Sequence, residues 1–184
     1  MILLLVCATF FSGGCVLSLH PLYTEKDQVF DPALVGTWAE KDSEDTYTFQ
    51  KADRDGYELT YVEKRRPAKF EAHLTRLGKL LFLDLYPKES EEKIENEMLE
   101  GHFIRVHSFS RVRIDGDVLR YAVMYGERLA RVIAQKKVKI AHRVEAHGDV
   151  LILGAPTEDL QKFVLKHAQD TKAFGEEQTL YRRK

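Results

Sequence analysis

Apolar and polar residues alternate at a spacing of two in segment after segment, and turn residues separate the segments. That period belongs to β-strands with one buried face, not to helices. Tyr47 and Phe49 share a face within Thr46 to Gln50. Tyr57, Leu59 and Tyr61 do the same after the turn Asp53-Arg54-Asp55-Gly56. Phe70, Ala72 and Leu74 stand opposite Lys69, Glu71 and His73, and Leu80 to Leu85 is a more fully buried run. Phe103 to Ile114 and Val118 to Met124 are joined by Asp115-Gly116-Asp117, a strong hairpin signal. Val138 to Val144, Val150 to Leu153 and Thr179 to Arg183 complete the set. The fold expected is mainly β: an antiparallel meander that closes as a barrel, with one or two short helices.

Thr157 is expected to cap the clearer helix, with Glu158 and Asp159 in its first turn and Leu160, Phe163, Val164 and His167 as its apolar stripe. Its C-terminal end would favour the charged form of His167. A shorter helix is expected from Glu127 to Gln135, burying Leu129, Val132 and Ile133. Lys88 to Glu100 is acidic; with Ile94 and Met98 four apart it reads as a marginal helix on a loop, and as a lid if the barrel is open.

The chain starts with an uncharged apolar run, residues 2–11, that ends in Ser12-Gly13-Gly14-Cys15. Such a run is too short to span a bilayer and fits a secretory signal. Closed by small residues and a cysteine, it resembles the lipobox of bacterial lipoproteins. The resemblance implies that residues 1–14 are a signal peptide and that Cys15 becomes the first mature residue. Its thiol would carry a diacylglycerol and its amine an acyl chain. It also implies attachment to the membrane in the cell envelope. Val16, in place of the aspartate that retains such proteins at the inner membrane, points to the periplasmic face of the outer membrane. An ordinary signal peptide cut near Gly13-Gly14, or an uncleaved anchor, fits the same residues. Residues 15–30, with Pro21 and the polar run Thr24-Glu25-Lys26-Asp27-Gln28, lack either periodicity and read as a lipidated tether. Residues 31–184 are then one domain, long enough for a single core.

The cysteines agree with export. As the lipobox resemblance implies, Cys7 would leave with the signal and Cys15 would be blocked by lipid, so the mature domain would have no disulfide and its stability would rest on the core. The formal net charge of −1 lacks the basic excess that nucleic acid requires.

Asp31-Pro32-Ala33-Leu34-Val35 reads as a capped helical turn that leads into Gly36-Thr37-Trp38. This Gly-x-Trp resembles the first motif of the lipocalin and wider calycin families. The resemblance implies a lipocalin-like barrel in which Trp38 plugs the closed end under an arginine of the last strand, here Arg182 or Arg183. It also implies a small, mostly apolar ligand. By strand phase, Tyr57, Tyr61, Ser108, Tyr121 and His142 share the apolar faces that a closed barrel points inward, and they are the candidate ligand-binding residues. Tyr47 and Ser110 lie on the same faces.

No catalytic or metal motif competes. His102 and His107, five apart, project to opposite faces of a strand, and His107 cannot share a proton with its neighbour Ser108. No Gly-x-Ser-x-Gly and no glycine-rich phosphate loop occurs, so neither enzyme activity nor a cofactor is expected. The basic set Arg128, Arg131, Lys136, Lys137, Lys139 and Arg143 reads as a solvated face, with contact to anionic head groups as the functional alternative. Two functions stay open: a non-enzymatic binding module for a small apolar molecule, and a structural or interaction module of the envelope with a filled barrel.

Overall fold

The computed structural model describes residues 16–88, 98, 102–126, 129, 133, 140–145, 150–171 and 173–184. The signal region, Cys15, nearly all of the acidic segment and most of the Glu127 to Gln135 helix lie outside the described residues. Leu129 and Ile133 are described, and both are buried.

Among the described residues, twelve strands form one sheet. They are β1 (Val16–Ser18), β2 (Gln28–Val29), β3 (Gly36–Ala39), β4 (Thr46–Lys51), β5 (Tyr57–Glu63) and β6 (Arg66–Leu77), then β7 (Leu80–Pro87), β8 (His107–Asp115), β9 (Val118–Val123), β10 (His142–Glu145), β11 (Val150–Leu153) and β12 (Gln178–Arg182). Among the described residues, helix α1 (Thr157–His167) and a 3-10 turn, Pro32–Leu34, accompany the strands. β3 to β9 pair in sequence as a meander, and β12 inserts antiparallel between β3 and β9. That insertion closes an eight-stranded antiparallel barrel. The hairpin at Asp115-Gly116-Asp117 is present, with Gly116 at φ 57° and Ile114 opposite Leu119.

Three strands extend the sheet beyond the barrel. β8 pairs with β9 through Ser110–Asp115, but its first residues, His107 and Ser108, pair with β1. β1 runs parallel to β11, and β11 antiparallel to β10. The wall therefore branches at β8. Two hydrophobic cores follow from the branch. One fills the barrel base, around Trp38, Leu59, Leu74 and Leu119. The other lies outside the wall, where Phe82, Leu151, Leu160, Val164 and Phe174 bury the helix against the extension. β7 serves both: Leu81 and Leu83 belong to the inner core and Phe82 to the outer one. That explains a run apolar on both faces.

Two local expectations need correction. Residues 16–30 are not a tether. β1 pairs on both edges, β2 covers Leu74 and Thr75 of β6, and Leu22 is fully buried. Strands of two or three residues are too short to show a period, so the sequence hides them. Thr157 does not cap α1; the boundary residue is Pro156, and the Thr157 hydroxyl donates to the Pro21 carbonyl at 2.9 Å. Gln161 likewise donates to the Leu22 carbonyl, so the helix holds the N-terminal segment down.

At the barrel base, Asp31 caps the 3-10 turn by accepting from the Ala33 N–H at 2.9 Å. Trp38 is wholly buried, and its Nε1–H donates to the Leu34 carbonyl at 2.8 Å. The Arg182 guanidinium lies 4.2 Å from the Trp38 ring centroid. It also donates to the Val35 and Ala33 carbonyls and to Asp117. Arg183 instead reaches the Ser43 carbonyl. Gly36, at φ 132°, passes directly under Arg182, where a Cβ would collide with Nη1. Trp38→Ala should cost about 3–5 kcal/mol, with Arg182→Ala losing on the order of 2 kcal/mol of desolvated cation–π attraction. Urea unfolding followed by fluorescence of this single Trp checks the second; a Trp38 emission already red-shifted in the native state would refute the buried cap.

Candidate functional site

Above the Trp38 base, the barrel interior is not filled. A cavity of about 240 Å³ opens between the strands. Phe49, Leu59, Leu83, Val112, Leu119 and Leu180 form its floor and lower wall. Phe70 and Leu85 stand higher, with the polar groups of Tyr47, Tyr61, Tyr121, Ser108 and Ser110. Among the described residues no charged side chain lines it. Val16, Phe109, Val123 and Met124 close it on the side where β9 leaves β8 and β1 takes its place. Three of these four, Val16, Phe109 and Met124, belong to the outer core, so the cavity reaches the seam between the two cores.

The three tyrosines form one group. Tyr47 and Tyr61 sit opposite each other on β4 and β5, with rings stacked at 4.6 Å. The Tyr47 hydroxyl interacts with those of Tyr61 and Tyr121. Burial, the largest cause in each case, pushes all three hydroxyls above the ordinary tyrosine range. They therefore stay protonated; the Tyr121 hydroxyl donates to Gln178 Oε1 at 3.4 Å, and the group as a whole can hydrogen-bond a neutral ligand.

The structure brings three of the five candidate residues together: Tyr61, Ser108 and Tyr121. Two lie elsewhere. Tyr57 is buried below the cavity, where its hydroxyl donates to the Asp31 carbonyl at 3.0 Å and accepts from the Asp31 N–H at 2.6 Å. Burial pushes its pKa up to about 12. It holds the capped turn to the barrel wall. His142 is exposed on β10, the outer edge of the extension, with Nδ1 2.9 Å from the Ile140 carbonyl. The phase argument assumed that every strand belongs to one ring, and β10 does not. Phe70, Leu85, Val16 and Met124 were missed; alternation marks the first two, and nothing local marks the others.

A second polar group lies on the outer face of the wall. Asp84 of β7 is fully buried. Its carboxylate accepts from the Leu22 N–H at 2.7 Å and meets His107 Nδ1 at 2.8 Å. His107 stacks on Tyr86, and His73 stacks on Tyr23 at 4.1 Å. His73 Nδ1 is buried without a hydrogen-bond partner among the described residues. Among the described residues no three His, Cys, Asp or Glu side chains converge as a metal site. This group fastens the N-terminal segment to the barrel. Of the basic stretch, only Arg143 is described, and it is exposed. His167 departs from expectation: burial and neighbouring Lys166 lower its pKa, outweighing the helix end.

No family model matches the chain, and no curated protein or solved structure matches it either.

Two histidines, His73 and His167, contribute to the acid response. Burial is the largest cause lowering each pKa, against the opposing pull of Asp84 and Glu71 on His73 and of Asp170 on His167. A histidine kept neutral by folding binds its proton more readily when unfolded. Stability is then full above the unfolded value of about 6.5 and falls as pH drops toward the lower folded value. The urea midpoint should be lower at pH 5.5 than at pH 7.5. His73→Phe with His167→Phe should flatten that difference; an unchanged difference would assign it to other groups.

Proposed function

We propose that this protein is a lipid-anchored bacterial envelope lipoprotein whose lipocalin-like barrel is a non-enzymatic binding module for a small, uncharged, mostly apolar molecule. The observation that carries the reading is the cavity of about 240 Å³, walled by apolar side chains with hydroxyls grouped on its upper wall. Apolar walls with a few grouped polar atoms describe a ligand site. The volume falls below the usual 300–1,000 Å³ of drug-sized pockets, which suits one alkyl chain rather than a bulky ring system. A buried anion would need a paired cation or a hydrogen-bonded shell. The polar groups of the described wall are hydroxyls, which donate and accept and suit an ester, an alcohol or another neutral head.

The stacking of Arg182 over Trp38 under a capped turn supports the lipocalin-like reading. Ser12-Gly13-Gly14-Cys15 supports the anchor at Cys15. Phe103 and Ile104, exposed at 64% and 75% shortly before β8, support contact with an apolar surface such as the membrane. The proposed place is the periplasmic face of the outer membrane.

The Cys15→Ala protein should take up a neutral fluorescent alkyl probe with a blue shift. Tyr61→Phe removes one hydrogen-bonding group and should weaken uptake up to about tenfold, while His142→Ala should leave it unchanged. A folded protein that takes up no probe would defeat the binding reading and favour a structural or interaction module.

A further inference from the structure

The cavity wall includes Val16, and Val16 is joined by one peptide bond to Cys15. Consecutive Cα atoms lie about 3.8 Å apart. A lipid attached at Cys15 is therefore delivered beside the cavity, not at the end of a flexible tether. Val16 is held there: it is 3% exposed, and its strand pairs with both β8 and β11.

Three observations choose the occupant of the cavity. The first is this attachment, which makes entry intramolecular, with an effective concentration in the millimolar range for so short a link. The second is the chemistry of the wall. Its described residues carry no charge, and Tyr47, Tyr61, Tyr121, Ser108 and Ser110 bring hydroxyls. The diacylglycerol and amide-linked chains of a lipoprotein anchor are uncharged and carry carbonyl acceptors. A phospholipid would bring its phosphate. The third is size: about 240 Å³ takes part of one chain, not a whole lipid.

We infer that one acyl chain carried by Cys15 folds back into the barrel cavity, so that the protein shields part of its own anchor. The inference rests on the lipoprotein reading and deepens it. Moving a chain from bilayer to cavity exchanges one apolar medium for another, so the transfer is close to balanced and attachment tips it. Stable anchoring takes two chains, and an anchor of three keeps two for the membrane. A free ligand then enters only when the tethered chain leaves. The cavity of the unacylated chain is open, and that of the mature protein is self-occluded.

The test uses the full chain in cells fed a fatty acid with a diazirine near its methyl end. The label enters the anchor, the membranes are irradiated, and digested peptides are read by mass spectrometry. The expected result is an intramolecular crosslink from the anchor to the peptide that holds Leu83 and Leu85. Ser110→Phe and, separately, Val123→Phe fill the cavity and should lose that crosslink with Cys15 still acylated. Trp38 fluorescence reports whether each variant folds. Acylated Cys15 with crosslinks only to phospholipid or to other proteins overturns the inference and leaves the lipoprotein reading standing. In the acylated wild type, labelling of the peptide that holds Leu83 and Leu85 by free lipid, with no link to the Cys15 peptide, assigns the cavity to free lipid and also overturns it. An unmodified Cys15 overturns the inference together with the reading beneath it.

Discussion

The closure of the barrel rests on Arg182. It belongs to the last strand, and its guanidinium is held over Trp38 of the first barrel strand. The same group takes the carbonyls of Ala33 and Val35, which the 3-10 turn leaves without partners of their own. One side chain thus joins the two ends of the barrel, caps the turn and seals the base. Gly36 permits this because it has no Cβ under the guanidinium and tolerates φ 132°. Without β12 between β3 and β9 the sheet would have two open edges, and the interior would be exposed along its length.

The branch at β8 is the second constraint. A closed ring gives each strand two neighbours, but β8 divides one of its edges between β9 and β1. Where the exchange occurs, Val16 and Met124 belong to the outer core and also line the cavity, and the Val16 N–H donates to the Met124 carbonyl at 3.4 Å. The extension needs cover on its remaining face. Helix α1 supplies it and is tied back to Pro21 and Leu22 by Thr157 and Gln161. Asp84 completes the fastening from the wall side. Its burial is offset by two partners, the Leu22 N–H and His107. Removing one partner of such a group leaves the other unsatisfied, at a cost of about 1–3 kcal/mol.

The barrel strands were legible because each has one face in the core and one in water, so their period is clean. Tyr61, Ser108 and Tyr121 were found by that phase alone. The same rule misplaced His142, because alternation gives the face of a strand but not the sheet it joins. Tyr57 had the right face and the wrong height; its hydroxyl meets Asp31, and a meeting across 26 residues has no local signature. β1 and β2 escaped notice because short pairings contain less than two periods. The Asp84–His107 pair escaped for a different reason. Asp84 lies in a strand buried on both faces, where a lone polar residue reads as an exception until its partner, 23 residues away, is placed.

These constraints separate two responses to acid. The cavity holds tyrosines and serines that neither gain nor lose charge near neutral pH, and burial moves the tyrosines further from titration. The two histidines whose pKa values burial lowers, His73 and His167, lie off the cavity wall, His73 against the N-terminal segment and His167 on α1 against Phe163. Acidification therefore acts on the outer packing, loosening what holds β1 and its neighbours, while the chemistry of the cavity stays constant. Val16 belongs to both regions. Through it, any weakening of the outer core reaches the seam of the cavity without a charge appearing inside.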